Sequence, residues 1–207
     1  MQHCLYIPTL IALTSVSLIF TNPVQAQPQA AACSNDYQEQ PDQDRREITN
    51  AEYGLRFEIP VNYRTELQRQ GELQEGLSIF VRNPTDVDFL DCASRNRMVG
   101  AGHQVSDIVI RIKTRPSHVY SVGDIRQDVS ESGGIDISDS DSITIAGQDA
   151  ILYTQQNSYP ERYRYATFIH PNGRDLVSIY TGDYGNTIDP IDLEVMDMVI
   201  NSLTIEN

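Results

Sequence analysis

The chain has 207 residues, with 29 Asp or Glu against 15 Lys or Arg and a formal net charge of −14. A surface this acidic repels phosphate backbones and anionic lipid heads, which argues against nucleic acid or a membrane surface as partner and leaves cations and basic proteins compatible. Lys113 is the sole lysine, so the remaining cations are all arginine, and the chain has 11 tyrosines but no tryptophan.

Residues 5–20 are apolar or small and carry no charge. That run is short for a bilayer span, which takes about 20 apolar residues. With Val24-Gln25-Ala26 following Pro23 it predicts a secretion signal cleaved after Ala26; retention as an anchor and lipidation at Cys33 are the alternatives. Every charged side chain lies beyond residue 33, so the net charge belongs to the exported part. No later apolar stretch is long enough to span, and the mature chain is expected to stay out of the bilayer, in a periplasm, a lumen or the exterior. The expected organisation is a signal peptide over 1–26, a flexible Gln- and Pro-rich lead-in over 27–49, and one domain over 50–207. Cys4 leaves with the signal. Cys33 and Cys92 lack the close spacing of a reactive thiol pair and predict one structural disulfide.

Within the domain, Leu55, Phe57 and Ile59 alternate with Arg56 and Glu58, which predicts a half-buried strand stopped by Pro60. Residues 63–74 are polar and ambiguous. Leu77 to Val81 predicts a second strand ended by Asn83-Pro84, and residues 86–104 read as a loop-rich connection. Ile108, Ile110 and Ile112 mark a strand stopped at Pro116; Val122, Ile125 and Val129 recur at helical spacing, predicting a short helix released at Gly133-Gly134. Strands follow at 142–145 and 150–155, with Gly147 at the bend.

The strongest local signal is a hairpin joining residues 162–169 to 175–181 through Pro171-Asn172-Gly173-Arg174. Asn-Gly predicts a tight I′ turn. In that register His170 faces Asp175, Phe168 faces Val177 and Ala166 faces Ile179, while Tyr163, Tyr165, Ile169, Leu176 and Tyr180 line the opposite side. Apolar bulk on both sides predicts a sheet covered on both faces. A closing helix begins at an Asp189 cap with Pro190 in its first turn, and Ile191, Val195, Met198 and Val199 share one face. The expected fold class is α+β, a mainly antiparallel sheet flanked by helices.

Four segments together resemble the PsbP-like family of exported or lumenal α/β/α-sandwich domains: Tyr53-Gly54-Leu55-Arg56-Phe57-Glu58-Ile59-Pro60, Ile145-Ala146-Gly147-Gln148-Asp149-Ala150, the long hairpin, and the final helix closing on Ile200-Asn201-Ser202-Leu203. The resemblance covers roughly residues 51–206. It implies an accessory or assembly role beside a larger complex, with no catalytic residues to carry over. The scarcity of lysine departs from the basic contact residues of the photosystem II member.

No G-x-S-x-G elbow, H-E-x-x-H pair or phosphate loop occurs, and His103, His118 and His170 stand in no ligand pair. His170 beside Asp175 is expected as a cross-strand pair. Asp136, Asp139 and Asp141 with three serines supply the hard oxygens that Ca²⁺ takes, but off the EF-hand spacing, so an acidic solvated loop is the preferred reading and a Ca²⁺ or small-ligand site over 136–142 the alternative. Tyr159, Arg162, Arg164 and Tyr184 cluster around the hairpin with Tyr163, Tyr165 and Tyr180. Tyr and Arg anchor protein interfaces. The resulting expectation is an exported, non-catalytic domain without a resident cofactor that binds a protein partner outside the cytoplasm through Tyr159, Arg162, Arg164 and Tyr184.

Overall fold

The computed structural model describes residues 33–34, 37–69, 76–98, 105–131, 136–156, 161–183 and 187–206. The expected signal peptide, His103, Tyr159 and Tyr184 lie outside the described residues, as do Gly100 to Gly102 and Gly133-Gly134. Within residues 33–207 the chain folds as one unit. Its elements are strands β1 (Arg45–Asn50), β2 (Leu55–Pro60), β3 (Arg64–Arg69) and β4 (Gly76–Arg82), helix α1 (Pro84–Arg95), β5 (Asp107–Thr114), α2 (Val122–Glu131), β6 (Asp136–Ile145), β7 (Gln148–Gln156), β8 (Arg162–Ile169), β9 (Asp175–Asp183), α3 (Pro190–Ser202) and β10 (Thr204–Ile205).

Seven strands form one sheet in the order β3-β4-β5-β9-β8-β7-β6, and β1-β2-β10 form a second. Each described pairing is antiparallel. After β5 the chain crosses through α2 to the far edge, then meanders back through β6, β7 and β8 until β9 lies beside β5. The fold is therefore α+β, as the strand-and-helix succession predicts. None of the described helices is long and apolar enough to cross a membrane.

Alternation places two different sets of side chains on the large sheet. One face carries Ile79, Ile110, Ile179, Ala166 and Phe168. These are buried against Leu55, Phe57 and Ile59 of β2 and Val195, Met196 and Val199 of α3. On the opposite face Ile151, Tyr153 and Leu176 pack against Val119 and Ile125, the latter from α2. At about 25 cal/mol per Å² of apolar area removed from water, this two-sided burial is the main stabilising term. The hairpin register is the expected one, Phe168 opposite Val177 and Ala166 opposite Ile179.

Several local expectations need correction. The hairpin turn is not type I′, because Gly173 has φ +69° but Asn172 is not left-handed. Instead the Gly173 N–H donates to His170 O at 2.9 Å, closing a turn around Pro171 and Asn172. Proline presets the negative φ of a turn's second position, which a primed turn cannot use. Asn172 contributes through its side chain, whose Oδ1 accepts from the Arg174 and Asp175 N–H groups.

Residues 84–95, expected as strand end and loop, form α1. Asn83 is its cap, with Oδ1 accepting from Thr85 N–H at 3.0 Å, and Pro84 fills the first turn. An Asn-Pro pair stops a strand and starts a helix equally well; Phe89 and Ala93, one turn apart and buried, decide the outcome. Residues 45–50, all but Asn50 inside the expected lead-in, form β1 by pairing along all of β2. Ile48 alone reaches the core, so the strand depends on its ladder and carries little hydrophobic signal. The ambiguous stretch after Tyr63 supplies β3, an edge strand of mostly exposed residues. The acidic run 136–142 is strand, not loop: it belongs to β6 at the sheet edge, with an irregularity between Ser138 and Asp141. In the last helix Met196 is buried, where Met198 was expected.

Cys33 and Cys92 are bonded, with Cα atoms 5.8 Å apart, tying residue 33 to α1 across 59 positions. Closing a loop of that length corresponds to about 4 kcal/mol in the chain-entropy account. Cys92→Ser should therefore lower unfolding free energy in urea by about 2–4 kcal/mol. A loss under about 1 kcal/mol would show that the segment before β1 is held by its other contacts alone.

Candidate functional site

The most constrained polar region joins the starts of two helices. Helices α1 and α3 open on the same pattern, Asn83-Pro84-Thr85-Asp86 and Asp189-Pro190-Ile191-Asp192. In both, the cap side chain accepts from the N–H two residues on. The acidic third position of each helix is buried, Asp86 at 2% exposure and Asp192 at 0%. Near them Asn83 Nδ2 donates to the buried Tyr63 hydroxyl at 3.1 Å and to Glu39 O at 2.7 Å, and the Glu39 N–H donates back to Asn83 Oδ1. Gln38 Nε2 donates to Asp192 Oδ2 at 3.0 Å. Burial raises the Asp192 carboxyl from 3.8 to about 7; the Gln38 hydrogen bond opposes the shift and the charges of Asp189, Asp86 and Asp183 add to it. The Tyr63 hydroxyl is likewise pushed upward, chiefly by burial. In sequence, the feature that marks both buried acids is the repeated Asn/Asp-Pro-x-Asp pattern.

The hairpin residues divide between the faces. Arg162 and Arg164 alternate with Tyr163 and Tyr165, so the expected Tyr-Arg cluster is split by the sheet. The arginines lie on the α3 side, lining a cleft of about 470 Å³ with Leu152, Thr154, Ile188, Leu193 and Asp197. Arg164 Nη1 donates to Thr154 Oγ1 at 2.9 Å and to Asp139 O at 3.2 Å, and Arg162 stands 3.8 Å from the Asp139 carboxylate. The left-handed Asp139, φ +51°, sits at the irregularity of β6. Asp141 faces Leu152 across the ladder, and Asp136 pairs with Gln156 further along. Among the described residues no three His, Cys, Asp or Glu are placed to hold an ion.

On the other face the tyrosines form a row. Tyr153, Tyr165 and Tyr180 are cross-strand neighbours on β7, β8 and β9. Their rings stack at 5.2 and 4.8 Å. Tyr163 lies over Gly182, where an added Cβ would stand 2.0 Å from the ring. Burial raises the Tyr153 hydroxyl to about 12 and moves Tyr165 and Tyr180 in the same direction, so all three are neutral donors at physiological pH.

The two described histidines serve local structure. His118 Nε2 is 2.7 Å from Asp128 Oδ1. The His170 ring bonds Tyr53 O through Nε2 at 2.9 Å and accepts from the Asn172 N–H at Nδ1. Its expected partner, the Asp175 carboxylate, is taken by Asn172 Nδ2. The His170–Asp175 pairing survives only in the backbone.

No family model matches the chain, and no curated protein matches it. Among solved structures, that of cyanobacterial PsbP (CyanoP) from Synechocystis sp. PCC 6803, determined in solution, is similar at a TM-score of 0.46 and 9% identity. The match covers 84% of this chain and 98% of that one.

Asp192 generates a prediction with a definite sign. Because its folded value is raised, the native state holds a proton that the unfolded chain releases, so stability is fully present below about pH 4 and is lost as pH rises through about 7. Asp192→Asn should remove this slope and raise stability at pH 8 by about 1–3 kcal/mol. Urea melts at pH 5 and pH 8 measure it; an unchanged difference between the two pH values would rule out Asp192 as its source.

Proposed function

We propose that the chain is an exported accessory or assembly domain that binds a protein partner outside the cytoplasm, using the sheet face that carries Arg162 and Arg164. The observation that supports this most is the cleft beside α3. In a chain of formal charge −14 it gathers two arginines around the apolar side chains of Leu152, Ile188 and Leu193. Arginine beside an apolar floor is the composition of interface hot spots. Tyr159 precedes β8 and Tyr184 follows β9, whose ends meet where Arg162 pairs with Asp183, so the reading includes both tyrosines. The Cys33–Cys92 bond fits an oxidising compartment, and the PsbP-like sequence patterns imply the same kind of role.

The test is crosslinking in the native host followed by mass spectrometry, comparing the wild type with Arg162→Glu/Arg164→Glu. The wild type should give crosslinks concentrated between 159 and 188. The double variant should lose at least about tenfold in partner yield, the loss of one or two charge-assisted contacts, while its melting temperature moves by only a few degrees. Equal yield from a folded double variant would move the interface elsewhere.

A further inference from the structure

The face opposite that cleft contains a smaller pocket which the partner-binding reading does not use. It is enclosed by β5, β9, β8, β7 and α2 and measures about 200 Å³. That is roughly the liquid volume of seven waters, so it suits a molecule on the order of ten non-hydrogen atoms. Its two walls differ in character. Ile125, Val129, Val119 and Leu176 form an apolar side, and the facing strands present Arg111, Lys113, Ser178 and the tyrosine row.

Arg111 continues the stack of rings, its guanidinium carbon 5.1 Å from the Tyr180 centroid. Its Nε is buried with no hydrogen-bond partner among the described residues. A buried guanidinium donor left unbonded carries a desolvation cost that an incoming acceptor would relieve. Lys113, the chain's one lysine, lies two residues along the same strand and on the same face. Asp128 also lines the pocket, and its carboxylate is engaged at 2.7 Å by His118. Tyr153, Tyr165 and Tyr180 stack on one another, so their ring faces are occupied, and their hydroxyls are neutral at physiological pH as any tyrosine's are.

We propose that this pocket binds a small organic carboxylate with an apolar body. The carboxylate is taken by Arg111 and Lys113 beside the row of tyrosines, and the body lies against Ile125 and Val129. The forked guanidinium matches a planar carboxylate, and the apolar wall distinguishes such an acid from a bare inorganic anion. The site is independent of the Arg162–Arg164 cleft, because alternate residues of β8 point to opposite faces.

The experiment is amide and side-chain NMR titration of the mature chain with hexanoate, benzoate and inorganic phosphate. Hexanoate or benzoate should shift resonances of β5, β9 and α2 and saturate. Arg111→Gln and Lys113→Gln should each weaken binding about tenfold, the equivalent of one charge-assisted hydrogen bond. Lys113 is exposed, so its variant reads out binding even if Arg111→Gln perturbs the stack. Arg164→Gln, on the other face, should bind as the wild type does. Shifts confined to other residues, wild-type affinity in folded Lys113→Gln and Arg111→Gln, or phosphate binding as tightly as the carboxylates would each overturn the proposal.

Discussion

The two-residue alternation of β8 and β9 in the middle of the large sheet governs what the rest of the chain can do. Ala166, Phe168, Val177 and Ile179 point one way, and Tyr165, Leu176 and Tyr180 point the other. A strand pair apolar on both sides cannot face water on either without exposing large side chains. Helix α3 and the small β1-β2-β10 sheet cover the first side, and α2 covers part of the second. The crossover that carries the chain from β5 through α2 to the far edge is what makes this two-sided cover possible. It brings a helix onto the second face before the meander returns β9 to β5.

The same alternation separates the chemistry. Arg162 and Arg164 are adjacent in sequence to Tyr163 and Tyr165, yet a sheet lies between the two sets. The arginines face α3 and share a cleft with apolar residues. The tyrosines stack into a row whose last member carries the Arg111 guanidinium. One strand thus contributes to two surfaces of different character, a wide cleft that sets arginines beside apolar side chains and a smaller pocket lined by tyrosines, Arg111 and Lys113.

A second constraint lies at the helix starts. The buried Asp192 carboxylate takes Gln38 and the Asn83 cap, itself bonded to the buried Tyr63 hydroxyl, takes Glu39, so these contacts hold the segment before β1 against both helices. Burying ionisable groups this way costs stability unless each is bonded or neutral. The elevated Asp192 value follows from that cost. The arrangement, with the Cys33–Cys92 bond, anchors a polar segment that would otherwise have little to hold it.

What local sequence determined here was whatever depends on side-chain period and helix capping. The strands at 55–59, 77–81 and 108–113, the helix after Ser121, the Asp189 cap and the Phe168–Val177 register all follow from spacing within a few residues, because alternation and capping are local physics. The pairing of Cys33 with Cys92 was legible once Cys4 was assigned to the expected signal. Tertiary structure decided the rest. β1, β3 and the acidic half of β6 are edge segments whose weak apolar pattern is overridden by a partner's ladder of hydrogen bonds. Helix α1 depends on two buried residues finding a surface. The division of Arg162 and Arg164 from the tyrosines, the burial of Asp192 and the meeting of Arg111 with Tyr180 depend on neighbours up to 154 positions away. No window of adjacent residues contains that information, since it arises only when non-local strands fix which face of each element is shared.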